Sequence, residues 1–174
     1  KNPPGVFTVG GSGTSSANDL GTTMLNKAAG IQLTYIPFGG TGSAIPALLG
    51  GHVTALMTYS TMAAQHKGRF RALAIASDKR MEVLPDVPTF KEQGYDVVEG
   101  AYRGVAAPPG TPDEIVKILA DAFDKVMKDP EVKKKMDQNA FKTEFMGPEE
   151  SLALVKKKMV EYEIIMKELG RIKK

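Results

Sequence analysis

No cysteine occurs among the 174 residues, which excludes thiolate zinc sites, redox pairs and a cysteine nucleophile. That absence leaves the compartment open, because exported proteins without cysteine are common. Histidine is scarce: only His52 and His66 exist, and neither falls in a metal-ligand spacing such as H-E-x-x-H. The pair Gly-Lys occurs nowhere, so a phosphate-binding P-loop is absent. No apolar stretch approaches the roughly 20 residues of a membrane span. Charge of neither sign dominates. A net +3 from 23 basic and 20 acidic residues attracts small anions weakly and is no nucleic-acid signature. The first residues, "KNPPGVF", lack the apolar region of a signal peptide. Either the protein is cytosolic or its numbering starts inside a longer precursor.

What is present is an ordinary globular composition, 42% hydrophobic and 25% charged, suited to one domain or two small lobes with a core that needs no staple. Up to residue 76, strands and helices alternate. "VFTV" (6–9), "IQLTYI" (31–36), "VTALMT" (53–58) and "RALAIA" (71–76) read as strands. Ser16 and Asp19 form a capping pair for a helix whose apolar residues are Ala17, Leu20, Met24 and Ala28, and Gly30 ends it. Ser43–Leu49 and Thr61–Lys67 predict two shorter helices. Such alternation implies an α/β fold with a parallel sheet and right-handed crossovers. "LPDVPTFKEQG" (84–94) predicts a short helix ending at Gly94. Beyond it the chain turns helical. Thr111, Pro112 and Glu114 predict a cap, a first-turn proline and a reciprocal carboxylate. Ile115, Ile118, Leu119, Ala122, Phe123 and Val126 then share one face; Asp129–Pro130 and Gly147–Pro148 start two more helices. The last carries a stripe through Leu152, Val155, Met159, Tyr162, Met166 and Leu169, too short for a coiled coil and read as docking on the protein's own core. Two lobes, 1–102 and 103–174, follow.

The chemistry concentrates in two loops, "GGSGTSS" (10–16) and "GGTGS" (39–43). In a parallel sheet, loops after the carboxyl ends of the strands share one edge. Glycine lets a backbone approach a ligand, and the following helix offers unpaired N–H groups at its positive end. The hydroxyls of Ser12, Thr14, Ser15, Thr41 and Ser43 add donors. Either loop alone could be only a tight turn before a capped helix; two in tandem favour an anion cradle. The sharper alternatives fail on spacing. The third glycine of a dinucleotide fingerprint is Ser16, and the nucleophile elbow ends in Thr14. Lys133–Lys135 and Lys156–Lys158 read as solvated helix faces, and the nine methionines as core filler.

Several segments together carry a resemblance: "GVFTVGGSGTSSANDL", "IPFGGTGSAIPALLGGHV", "RFRALAIASDKRMEVLPDVPTFKEQGYDV", "YRGVAAPPGTPDEIV" and "DPEVKKKM". In this order they resemble the solute receptors of tripartite tricarboxylate transporters, the TctC-like or Bug proteins. The resemblance covers essentially the whole chain. It implies a two-lobed periplasmic binding protein of type II that closes an interlobe cleft on a small organic carboxylate and hands it to membrane permease subunits, without a cofactor, a metal or catalysis. It places Ser12, Gly13, Thr14 and Ser15 in the first ligand loop and Phe38, Gly39, Gly40, Thr41 and Gly42 in the second. Tyr59 and Ser60, at the third loop, are secondary candidates. Arg103 is either the partner of a distal carboxylate, for which its planar fork is suited, or an interlobe ion pair. Asp19 departs from the family, where many members carry histidine, and either disfavours bulky polyanions or completes the capping box.

The family's opening lobe has no counterpart here, and "KNPPG" looks like a helix end. The expectation is therefore a piece of a longer exported receptor whose late apolar stripes find too little sheet near "GVAAP", so that the chain self-associates or packs the stripes back on the lobe, and binds ligand weakly. A regulator's ligand-sensing domain and a small hydrolase using Ser12 are the rival readings.

Overall fold

A computed structural model describes residues 5–141 and 143–172. The reading of "KNPPG" as a helix end concerns chiefly Lys1–Pro4, outside the described residues. Two compact units are present: Lys1–Ala101 with Gln138–Phe141, and Tyr102–Asp137 with Lys142–Lys174.

The first unit is α/β. Its elements are β1 (Thr8–Ser12), α1 (Ala17–Ala29), β2 (Thr34–Phe38), α2 (Thr41–Leu49), β3 (Ala55–Leu56) and α3 (Ser60–Gln65). The strands are parallel in the order β2-β1-β3, with Gly11 opposite Pro37 and Gly10 opposite both Ile36 and Leu56. Right-handed crossovers in this order put α1 and α2 on opposite faces. The glycines of β1 agree, since neighbouring strand residues face opposite ways. A Cβ on Gly11 would meet Asn18 of α1, whereas one on Gly10 would meet Leu56, Phe38 and Val53. Val9, Leu20, Ala44, Ile45, Val53, Leu84 and Val97 form the core.

Two expectations about the strands need correction. β1 does not stop at Gly10; both glycines belong to the strand, because side chains from β2 and β3 close over the space a Cβ would fill. "RALAIA" is no fourth strand: it contributes one parallel bridge, Ile75 to Thr89. The short helix expected to end at Gly94 is present as a single 3-10 turn, Lys91–Gln93, with Gly94 at φ +88°. There the Glu92 carboxylate accepts the Thr89 amide at 2.7 Å and Arg80 Nε at 2.9 Å. The Thr89 amide, aided by Arg80, holds the Glu92 carboxyl below its usual range.

The second unit holds α4 (Asp113–Lys128), most of α5 (Pro130–Gln138) and α6 (Pro148–Glu168). The predicted cap of α4 is also corrected. Thr111 donates its hydroxyl to the Pro108 carbonyl at 2.8 Å, and Pro112 occupies the cap position without a side-chain bond. Asp129 caps α5, accepting from the Glu131 and Val132 amides. The α4 and α6 stripes do not dock on a core. No residue of α4, α5 or α6 is buried, and Ile118 and Met159 are 63% and 66% exposed. The cause is local: residues 102–112, including "GVAAP", form no strand. Lys158 lies over the Tyr102 and Tyr162 rings at 5.8 and 5.5 Å, joining the unit's first residue to α6.

Candidate functional site

The carboxyl ends of β1, β2 and β3 carry three loops along one edge of the first unit: residues 12–16, 39–40 and 57–59. The chain reverses direction across the sheet between β1 and β3, the position where ligands bind in open parallel sheets.

The first loop is a self-satisfied frame. Asn18, 3% exposed, accepts at Oδ1 from the Ser12 amide (3.2 Å) and the Ser12 hydroxyl (2.6 Å). The Ser12 carbonyl accepts from Ser16 Oγ at 3.1 Å and from the Tyr35 hydroxyl. Burial pushes the Tyr35 phenol up, which keeps it the neutral donor this bond requires. Asp19, 1% exposed, accepts the Ser15 amide at 2.8 Å, and its own amide donates to Ser16 Oγ at 3.4 Å. These bonds hold Ser15 at φ +61°, a conformation unfavourable for a residue with a Cβ. Gly13, Thr14 and Ser15 form the exposed crest. The Ser12 hydroxyl is thus bound to an amide oxygen rather than a base, whereas the His66 ring lies beside Phe70 and Arg69.

The second loop is different in kind. α2 begins at Thr41, two residues before the expected start, so Thr41 and Gly42 are helical. Its cap position is Gly40, with no side chain capping the first amides and no acidic residue in the first turn; the Ser43 hydroxyl donates instead to the Gly40 carbonyl at 2.8 Å. A Cβ on Gly39, Gly40, Gly42 or Gly13 would meet nothing within 4 Å, and none of the four has a left-handed φ. Packing demands glycine at 10 and 11 but not at these four. An uncapped helix start beside such open space can take an anion on its free amides. Phe38 leans the other way: its ring lies 3.0 Å from the Cβ position of Gly10.

In the third loop the Met57 amide donates to the Gly10 carbonyl at 2.9 Å. Ser60 gives its hydroxyl to the Ala140 carbonyl at 3.0 Å, and Tyr59 is half-buried at the start of α3. Arg103 lies in the second unit and is exposed. Thr58, Asn18 and Tyr35 were not singled out by sequence reasoning. Thr58 Oγ1 is buried without a hydrogen-bond partner among the described residues, a state that costs about 1–3 kcal/mol. Thr58→Val keeps the shape and removes the orphan, so it should raise the melting temperature by several degrees in a thermal melt. A lowered melting temperature would show that a partner for the hydroxyl exists. A signal that was legible concerns charge: residues 20–77 contain no Asp or Glu, while Lys27, Lys67, Arg69 and Arg71 fall within them. The second and third loops therefore lie in a stretch whose formal charge is entirely positive.

The family model described as the tripartite tricarboxylate transporter family receptor matches residues 1–171. A Cupriavidus necator protein, "UPF0065 protein in gbd 5'region", is 30% identical over 171 residues, 98% of this chain and 52% of the relative. Among solved structures, the periplasmic binding protein BugD has TM-score 0.75 and 31% identity, covering 95% of this chain and 57% of BugD. MatC from Rhodopseudomonas palustris, solved with bound malate, has TM-score 0.74 and 28% identity over 92% of this chain and 57% of MatC. The chain thus spans about half the length of the relatives it matches.

Proposed function

As the chain belongs to the tripartite tricarboxylate transporter receptor family, we propose that its three-loop edge is one wall of a periplasmic site that binds a small organic carboxylate unchanged, for delivery to the transporter's membrane subunits. The observation that carries this reading is the start of α2: free amides, no capping side chain, and glycines whose Cβ space is open. A carboxylate there accepts main-chain N–H groups of the first turn and gains from the helix dipole. Charge-assisted bonds contribute about 1.5–3 kcal/mol each, so three near the upper end reach the roughly 8 kcal/mol of micromolar affinity. Thr41, half-buried at the first position of α2, adds a hydroxyl donor. At the neighbouring α1, the Asp19 carboxylate already takes the anion's place on the Ser15 amide. That arrangement favours α2 for the ligand's charged end and the exposed crest, Gly13–Ser15, for a neutral or hydroxyl group. The malate seen in MatC is a carboxylate of this size.

The test is a thermal-shift panel of mono-, di- and tricarboxylates, followed by calorimetry and recovery of the ligand. At least one carboxylate should raise the melting temperature and be recovered chemically intact; a panel without a hit, or an altered ligand, overturns the reading. Gly39→Ala places a Cβ that meets no atom within 4 Å in the space a ligand would use, so affinity should fall about tenfold or more while the melting temperature of the free protein stays constant. Thr41→Val should cost about tenfold or more in affinity, the worth of one charge-assisted hydrogen bond.

A further inference from the structure

Within the first unit, α2, α3 and the residues just after α3 bound a groove of about 590 Å³. Ile45, Pro46, Leu49 and Met62 make its apolar lining, and Arg69 with His66 its polar part. Leu49 is 43% exposed. Arg69 Nη1 lies 3.5 Å from His66 Nδ1, a contact that leaves the guanidinium charge uncancelled. Lys67 and Arg71, on either side, are exposed as well. None of these three cations forms an ion pair among the described residues, and the surrounding acid-free stretch runs from residue 20 to 77.

An apolar trough beside unneutralised cations is complementary to a partner that brings both acidic and apolar side chains. Exposed apolar patches with Met and Arg are features of interaction surfaces. Leu49 lies about 12 Å along the helix from Thr41, while the near end of the groove reaches Gly42 in the first turn of α2. We infer that this groove is the docking surface for an acidic, apolar-bearing segment of a membrane subunit of the transporter. The inference rests on the receptor reading above, which supplies a membrane subunit as the partner. Opposite charges steer such encounters, so docking through this face is salt-sensitive.

The experiment measures binding of the intact receptor, in the presence of malate or the panel's best carboxylate, to the transporter's membrane subunits in lipid nanodiscs. Affinity should fall as salt rises from about 50 to about 300 mM. The double variant Lys67→Glu with Arg69→Glu, and separately Leu49→Glu, should each lose about tenfold or more in docking affinity. A reversal on the helical unit, Lys156→Glu, should not. Carboxylate affinity and melting temperature should stay unchanged in all of them. Undiminished docking by the groove variants overturns the inference, as does a parallel loss of carboxylate affinity, which would assign the groove to the ligand site. A parent receptor that binds carboxylate but never the membrane subunits sinks the docking inference alone. A parent that binds no carboxylate sinks the receptor reading.

Discussion

Gly11→Ala should be the most damaging single methyl group in this protein, lowering stability by about 3 kcal/mol or more. The added Cβ would sit 2.5 Å from the Tyr35 hydroxyl, 2.9 Å from Asn18 Cβ and 2.9 Å from the Met57 carbonyl oxygen. None of the three can step aside cheaply. Tyr35 is tied to the Ser12 carbonyl, Asn18 is fixed by both Ser12 donors, and the Met57 oxygen is backbone next to β3. Since domains hold only about 5–15 kcal/mol in total, such a loss removes roughly a fifth or more of that stability and should lower the first unit's melting temperature by about 10 °C or more. Gly13→Ala, with open space around it, serves as the control and should leave the melting temperature within a degree or two. If chemical denaturation gives both variants the stability of the parent, the close packing of β1 against α1 described above is wrong.

Asn18→Ala should cost about 2–4 kcal/mol, because one acceptor serves two donors of Ser12, and deleting it leaves both unpaired in a partly buried corner. Ser12→Ala removes only the hydroxyl. Asn18 then keeps the Ser12 amide, and the expected loss is about 1 kcal/mol or less. The ratio of the two penalties, read from urea midpoints, is the informative quantity. Equal penalties would mean that the hydroxyl, not the amide, carries the connection. The same pair separates frame from ligand contact: Ser12→Ala should leave carboxylate affinity nearly unchanged, since its hydroxyl already has a partner at 2.6 Å. A large affinity loss with normal stability would instead put Ser12 directly on the ligand.

The parts of the fold visible in the residue pattern are those with local causes. Ser16 caps α1 and Gly30 ends it at φ +62°, because caps and left-handed residues act within one turn of chain. Strand ends were harder to place. Gly10 and Gly11 look like punctuation, yet they continue β1, and the reason sits on β2, β3 and α1, far away in sequence. Pro37 looks like a breaker but lies inside β2, an edge strand where a missing donor is tolerated. "RALAIA" has the composition of a strand, but the ladder that would make it one does not form. The site divides in the same way. The glycine and hydroxyl content of the loops was legible; the distinction between glycines that packing requires and glycines it does not was not, because that depends on neighbours in space. Arg103 is legible as a cation, and nothing in the chain's order says what it meets.

The bond from Ser60 to the Ala140 carbonyl has a consequence for the order of assembly. Ala140 is 1% exposed, sits at φ +59° and belongs, with Gln138–Phe141, to the first unit. During vectorial synthesis the sheet and its three loops emerge first, but this small plug follows about 40 residues after Ala101, a lag of roughly 2–8 s at ordinary elongation rates. Until then Ser60 and the start of α3 lack their long-range anchor, so the nascent first unit waits on α4 and α5 before it can close. Expression of residues 1–101 alone would make that waiting state permanent.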